Sequence, residues 1–305
     1  MNGLVIVDKP AGMTSHDVVS IVKKTLGVKK AGHTGTLDPL ATGVLPICLN
    51  EATKLAQFLT SDTKEYRATM FLGVETDTLD IEGQVLSRKT PNSDAGHIER
   101  VLAGFIGKTV QRPPAYSAVK YKGKALYKWA RKGVVVDSPS RHVEIFRLDV
   151  EDVSLPYVTF TISCSAGTYI RSICDDAGRV LGCGACLAAL RRLRSGDFHI
   201  DKAVPPRDAE ALRNGMITMT GAVSHLSGLT ISGHWAKRLK DGVKPAGDFF
   251  RDYDISFLVS GDMVTLISEE GRLVAIASVD SSPEGNGPLV KGFPCMRILR
   301  IFHDQ

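Results

Sequence analysis

The sequence predicts an α+β fold: a mixed, mainly antiparallel sheet with helices packed on it, followed by a small β-rich module. Three observations predict it. Apolar, β-branched runs outnumber segments of helical periodicity. The two kinds do not alternate as a doubly wound sheet requires. The last stretch, roughly 75 residues, carries short strand-like runs separated by glycine turns, enough for a small module.

Leu4 to Val7 reads as a strand ending in the turn Asp8-Lys9-Pro10-Ala11-Gly12. Ser15 is expected to cap a helix with apolar positions Val18, Val19, Val22 and Leu26, closed by Gly27. Residues 28–43 read as a glycine-rich loop, Val44 to Leu49 as a buried strand and Glu51 to Leu59 as a helix. Strand-like runs recur at Tyr66–Leu72, Gln84–Ser87, Val143–Val150 and Tyr157–Cys164. Helical spacing appears at Ile98–Phe105 and Ile170–Leu181. A helix is expected near Pro205-Pro206, and His225-Leu226-Ser227-Gly228 marks a boundary between residues 1–227 and 228–305. Beyond it, Phe257–Val259, Met263–Ile267, Leu273–Ala277 and Met296–Ile301 read as strands.

The 305 residues are 43% hydrophobic and 23% charged, which excludes disordered and fibrous chains. No apolar run reaches the roughly 20 residues of a membrane span, and the N-terminus lacks the basic and long apolar regions of a signal peptide. The six cysteines have no regular spacing and suit reduced thiols, so the expected location is the cytoplasm. Cys183 and Cys186 form a CxxC pair near Cys174, but no second pair or histidines follow at zinc spacing. They read as small buried thiols, and no metal is expected. HExxH, a Walker A loop and a post-strand GxGxxG are missing; Gly242 to Gly247 has Walker-like spacing, but Asp248 stands where lysine is required.

The net charge of +5 is unevenly placed. Residues 108–141 hold nine basic residues against Asp137 alone, a local net of +8 on a body that is otherwise −3. Tyr116, Tyr121, Tyr127 and Trp129 are interleaved with these cations. Cations that neutralise phosphates beside rings that stack on bases meet the physical needs of nucleic-acid contact; a solvated basic face is the alternative. Proline and glycine breaks make the segment a projecting hairpin with one short helix.

In the loop Gly32 to Gly43, glycines allow close backbone approach and Pro39 pushes Asp38 towards an extended conformation. The Asp38 carboxylate lies beside apolar Leu37 and Leu40, so it needs a cationic partner to stay ionised. A turn-forming aspartate is the alternative.

The stretch GHTGTLDPLATGVLPICLNEATKL resembles the catalytic motif of bacterial tRNA pseudouridine-55 synthases, the TruB family. The resemblance continues through Lys64-Glu65-Tyr66-Arg67, Arg112 to Ala118, Gly167 to Ser172 and Leu190 to Leu193, in the family's order, covering most of residues 1–200. From about Leu229 the tail is similar, more loosely, to the PUA-type RNA-binding module. Two departures are Ala166, where many members carry Lys or Gly, and Cys186.

The resemblance implies isomerisation of uridine 55 in the tRNA T-loop after base flipping. Asp38 matches the essential aspartate, acting at ribose C1′ or base C6, and Arg171 the arginine that orients it. Tyr66 matches the tyrosine that stacks on the extruded base, Tyr169 a second pocket tyrosine and Leu190 an apolar wall. His33 corresponds to the residue that fills the space left by the flipped base, and Lys64 joins the substrate-binding set. Residues 112–141 correspond to a thumb closing on the T-arm, with Lys120, Lys122, Lys124, Lys128, Arg131 and Lys132 on phosphates. The rearrangement oxidises nothing and releases no group, so no cofactor is implied; the expected partner is tRNA, bound by a monomer without a protein partner. A guide-dependent relative and a non-catalytic RNA-binding or tRNA-folding protein are the other readings.

Overall fold

Strands buried on both faces, and others buried on one, build the main sheet of the computed structural model, which describes residues 1–59, 63–134, 136–245, 249, 252–253, 258–280 and 295–303. In chain order come strand β1 (Gly3–Lys9), helix α1 (Ser15–Leu26), and strands β2 (Ala31–His33) and β3 (Thr42–Leu49). After a 3₁₀ helix over Asn50–Phe58 follow β4 (Lys64–Leu72), the hairpin β5 (Val74–Thr76) with β6 (Val85–Arg88), helix α2 (Ala95–Ala103) and β7 (Gly107–Gln111). The basic segment forms a small hairpin, β8 (Lys120–Tyr121) with β9 (Lys124–Ala125), and helix α3 (Leu126–Ala130). Strands β10 (Arg141–Ser154) and β11 (Tyr157–Cys164), helix α4 (Ile170–Val180), and strands β12 (Ala185–Ser195) and β13 (Phe198–His199) complete the sheet. Helices α5 (Ala209–Asn214) and α6 (Met219–Ala222) lead to β14 (Ser227–Ile231), α7 (Gly233–Lys240), β15 (Met263–Ser268), β16 (Leu273–Asp280) and β17 (Cys295–Ile301).

The main sheet runs β1-β3-β12-β4-β11-β10-β7, with β2 added on β3 and β13 on β12. Only the short β12–β3 contact is parallel; the other pairs in this sheet are antiparallel. The α+β expectation therefore describes the chain. Strand β1 is apolar on both faces because each face meets a different core: Val5 and Val7 pack with Val18 and Val22 of α1, Leu4 and Ile6 against α6. A further core joins Tyr66 and Met70 of β4 to Ile173 and Ala177 of α4.

The second sheet runs β14-β15-β16-β17 and has its own core around Trp235. It also shares one with the first, in which Leu273, Ile276 and Phe302 pack with Leu4, Ile6 and Val44. Polar ties cross the same junction: Thr220 Oγ1 donates to Gly271 O (2.9 Å), Lys54 Nζ to Ile301 O (3.3 Å), and His303 N to Glu51 Oε2 (3.1 Å).

Local differences have local causes. Thr14, not Ser15, caps α1: its hydroxyl accepts from Asp17 N while the Asp17 carboxylate accepts from Thr14 N, a reciprocal box. The expected loop over 28–43 contains strand β2, and the helix over 51–59 is 3₁₀. Strand β12 was not expected at all, nor was α7, which Ser232 caps. Of the expected strand Phe257–Val259, Phe257 lies outside the described residues, and Leu258 and Val259 form no strand.

Candidate active site

Three anchors shape the loop that carries Asp38. Ser15 clamps the Leu37 peptide from both sides: its hydroxyl donates to Leu37 O (3.0 Å) and accepts from Leu37 N (2.8 Å). Lys9, at the end of β1 and 0% exposed, donates Nζ to the carbonyls of Ala41 (2.6 Å), Pro10 (2.9 Å) and Pro39 (3.2 Å). Burial lowers the Lys9 ammonium to about 8, with Asp38 acting in the opposite sense. At the loop's exit Gly43 has φ 99°, and a Cβ there would lie 2.2 Å from Arg192 O, so only glycine lets β3 approach β12.

Arg171, in the first turn of α4, brings the opposite charge. Its Nη2 pairs with Asp38 Oδ2 at 2.8 Å and donates to Tyr116 O at 3.0 Å. Its Nη1 donates to Thr78 O (3.0 Å) and reaches Asp80 Oδ2 (3.4 Å). The Arg171 side chain is 4% exposed, whereas that of Asp38 keeps 37% of its surface open. The guanidinium is held by the protein, and the carboxylate it positions faces a cavity. Burial raises the Asp38 carboxyl above its ordinary value, with Asp80 adding to the rise and Arg171 and Lys9 working against it. Arg171 by itself lowers the Asp38 pKa, and desolvation outweighs it.

The cavity has a volume of 340 Å³ and brings together Asp38, Lys64, Tyr66, Tyr169, Arg171 and Leu190. Tyr66, on β4, is buried, and burial raises its phenol pKa while Arg192 opposes the rise. Leu190 comes from β12 and Lys64 from the start of β4. Tyr169, just before α4, is pinned through its backbone: Tyr169 N donates to Gln111 Oε1 (2.9 Å) and Gln111 Nε2 to Tyr169 O (3.3 Å). Arg141 stacks over its ring with the guanidinium 5.9 Å from the centroid.

His33, at the end of β2, does not line the cavity. Its Nδ1 is buried without a hydrogen-bond partner, and burial together with Arg192 holds the imidazole below its ordinary pKa, hence neutral at pH 7. The six basic residues Lys120 to Lys132 are all exposed and apart from the cavity, on the hairpin, on α3 and in the turn that follows it. Three pairs of cation and ring recur there, Lys122 on Tyr121, Lys124 on Trp129 and Arg131 on Tyr127, each at 5.5 Å.

Sequence reasoning missed Lys9, Asp80 and Arg192, and took Ser15 for a cap. Their one visible signal was a charge inside or at the end of an apolar run, as in Val7-Asp8-Lys9-Pro10 and Leu190-Arg191-Arg192-Leu193. Cys174, Cys183 and Cys186 are buried free thiols, and burial raises Cys186 to about 11. Among the described residues no cluster of three or more His, Cys, Asp or Glu side chains could hold a metal ion, and no helix is long and apolar enough to cross a membrane.

The model for the N-terminal domain of TruB family pseudouridylate synthases matches residues 23–170, and that for the tRNA pseudouridylate synthase B C-terminal domain matches residues 171–214. A tRNA pseudouridine synthase B of Syntrophus aciditrophicus (strain SB) is 49% identical over 311 residues, spanning 100% of both chains. The chain belongs to the TruB family of pseudouridylate synthases. It is thus an isomerase. The tRNA pseudouridine synthase B of Geobacter sulfurreducens is 43% identical to this TruB-family chain, over 99% of it and 100% of the relative. Among solved structures, a Cbf5-Nop10-Gar1 complex matches with a TM-score of 0.72 at 28% identity, covering 99% of this chain and 85% of that one. An H/ACA RNP bound to a substrate RNA containing 2′-deoxyuridine matches with a TM-score of 0.71 at 26% identity, covering 99% and 85%.

Proposed function

We propose that the protein converts uridine 55 in the T-loop of tRNA to pseudouridine, with Asp38 as the group that acts on the nucleotide. One observation carries this reading: Asp38, ion-paired to a buried Arg171 at 2.8 Å, opens into a cavity between Tyr66 and Leu190. The names of the relatives support tRNA as the substrate.

The glycosidic bond and C5 are out of reach in a folded loop, so the uridine is first extruded. The Asp38 carboxylate, oriented by Arg171, attacks ribose C1′ or base C6. The C1′–N1 bond breaks, the uracil turns over, and C5 bonds to C1′; the bond to Asp38 breaks and returns the carboxylate, the C5 proton leaves and N1 takes one up. Tyr66 stacks on the base, and Tyr66 or Asp38 accepts the C5 proton. Tyr169 and Leu190 wall the site, His33 fills the gap in the RNA, and Lys64 contacts the substrate. Lys120, Lys122, Lys124, Lys128, Arg131 and Lys132 hold T-arm phosphates from the thumb, about residues 112–141. Residues 1–227 form the catalytic domain and 228–305 a PUA-like RNA-binding domain of a cytoplasmic monomer.

The test is tritium release from an unmodified tRNA transcript labelled at uridine C5, with no guide RNA added. Release at position 55 alone is expected, and Asp38→Asn is expected to abolish it while keeping tRNA affinity within about tenfold. Turnover by Asp38→Asn at the parent rate would remove Asp38 from the chemistry; a requirement for a guide would favour the guide-dependent reading.

A further inference from the structure

We propose that Arg192 is a second catalytic group, supplying the fixed positive charge that balances the negative charge carried by the uracil ring during isomerisation. The proposal deepens the uridine reading above and rests on it. Arg192 is 1% exposed, yet among the described residues no carboxylate lies within the 4.0 Å of an ion pair. Its hydrogen-bond partners are neutral: Nε donates to Val44 O (2.7 Å) and Nη2 to Gly35 O (3.1 Å), and the Tyr66 phenol feels its charge. The other groups that feel its charge include Lys9 and His33, neither of them an anion. A guanidinium cannot shed its proton, and buried charges are ordinarily paired. This one is left wanting an anion.

The anion has a way in. Arg192 and Gly35 both line the cavity. A Cβ placed on Gly35 would stand in van der Waals contact with Arg192 Nη1, at 3.7 Å, with nothing else within 4 Å, so the glycine puts no side chain of its own between that nitrogen and the cavity. Depth then decides which part of the nucleotide arrives. Arg192 is the cross-strand neighbour of Tyr66 in the β12–β4 pair, at the cavity floor, where a base enters. Phosphates stay outside, where the exposed thumb cations are.

Both chemical routes charge the ring. Attack at C6 pushes an electron pair through C5 onto O4. Breaking C1′–N1 leaves the pair on N1, shared with O2 and O4. The pair returns when C5 bonds C1′, the C5 proton departs and N1 gains one. A cation already fixed in a dry site stabilises that anion without reorganising.

The test uses Arg192→Gln, Arg192→Lys and Gly35→Ala in the full chain. Single-turnover tritium release and tRNA Kd are measured over a range of salt, with Tm checking the fold. Arg192→Gln is expected to slow release about a hundredfold, Arg192→Lys to recover to within about tenfold of the parent, and Gly35→Ala to lose about tenfold. Affinity stays within about threefold and the salt slope is unchanged, because the charge meets the base. A folded Arg192→Gln releasing tritium within about threefold of the parent rate overturns the proposal. So does a salt slope reduced by about 0.7, the mark of a lost phosphate contact. Should Arg192→Gln not fold, Gly35→Ala decides, since it keeps Arg192 and meets no close contact; the parent rate there overturns the proposal. Turnover by the parent tests the uridine reading separately; only the ratio of variant to parent tests Arg192.

Discussion

Replacing Arg171 separates orientation from charge at the Asp38 carboxylate. A unit charge about 4 Å away at an effective dielectric near 20 contributes about 4 kcal/mol. Asp38 keeps 37% of its side chain open, so screening reduces this to about 2 kcal/mol, or roughly 1.5 pH units. In the proposed reaction Asp38 works ionised, and its carboxyl already sits above the ordinary range with Arg171 restraining it. Activity is therefore present above this pKa and lost as pH falls through it. Arg171→Met removes the restraint, so the acid limb of kcat/KM should move up by about 1 to 2 pH units. Arg171→Lys keeps the charge but cannot reproduce a fork spanning Asp38, Asp80, Thr78 O and Tyr116 O. It should leave the limb near its parent position while lowering kcat about a hundredfold. The assay is tritium release between pH 5 and 9. An Arg171→Met limb at the parent pH, or Arg171→Lys at the parent rate, would refute the division of roles.

Three further outcomes are expected. Folding lowers the Lys9 ammonium to about 8, so the unfolded chain holds one more proton between there and its ordinary value near 10.5; stability rises with pH across that window by about 1.4 kcal/mol per unit, and urea unfolding of Lys9→Met should lack this increment. Ser15→Ala strips both bonds from the buried Leu37 peptide and should cost about 1–3 kcal/mol and reduce kcat, whereas Thr14→Ala should cost about 1 kcal/mol of stability and leave kcat alone; equal kinetic losses would contradict the anchoring of the loop by Ser15. Neutralising Lys122, Lys124 and Lys128 together should weaken tRNA binding and reduce its salt slope by about 2 to 3, and an unchanged slope would take the thumb off the phosphates.

Much of the fold was readable where local chemistry decides the outcome. Gly27 closes α1 in the left-handed region as expected, and the hydrophobic spacing around Val18 and Val22 located that helix. Strand β12 escaped because its run Leu190-Arg191-Arg192-Leu193 interrupts any apolar pattern, and its charges are tolerated only by what the fold brings to them. Arg191 meets Asp8 through two bonds of 3.1 and 2.8 Å, a partner 183 residues away, and Arg192 turns into the cavity floor. Lys9 was obscured for the same reason. Nothing local says that three carbonyls will converge on its ammonium, two of them more than 25 residues distant. Ser15 and Thr14 are neighbours competent for the same capping bond, and only the nearness of Leu37 assigns them different work.

The core that Leu4, Ile6 and Val44 share with Leu273, Ile276 and Phe302 makes the tail something other than a bead on a string. A tethered module searches space and gains by raising local concentration; a module seated in its neighbour's core behaves as one jaw of a caliper. The position of the second sheet relative to the main sheet is then a dimension of the molecule, set by packing and closed to adjustment by a linker. If the tail binds RNA as proposed, an RNA lying across both sheets would be gauged for size before any of its bases is inspected.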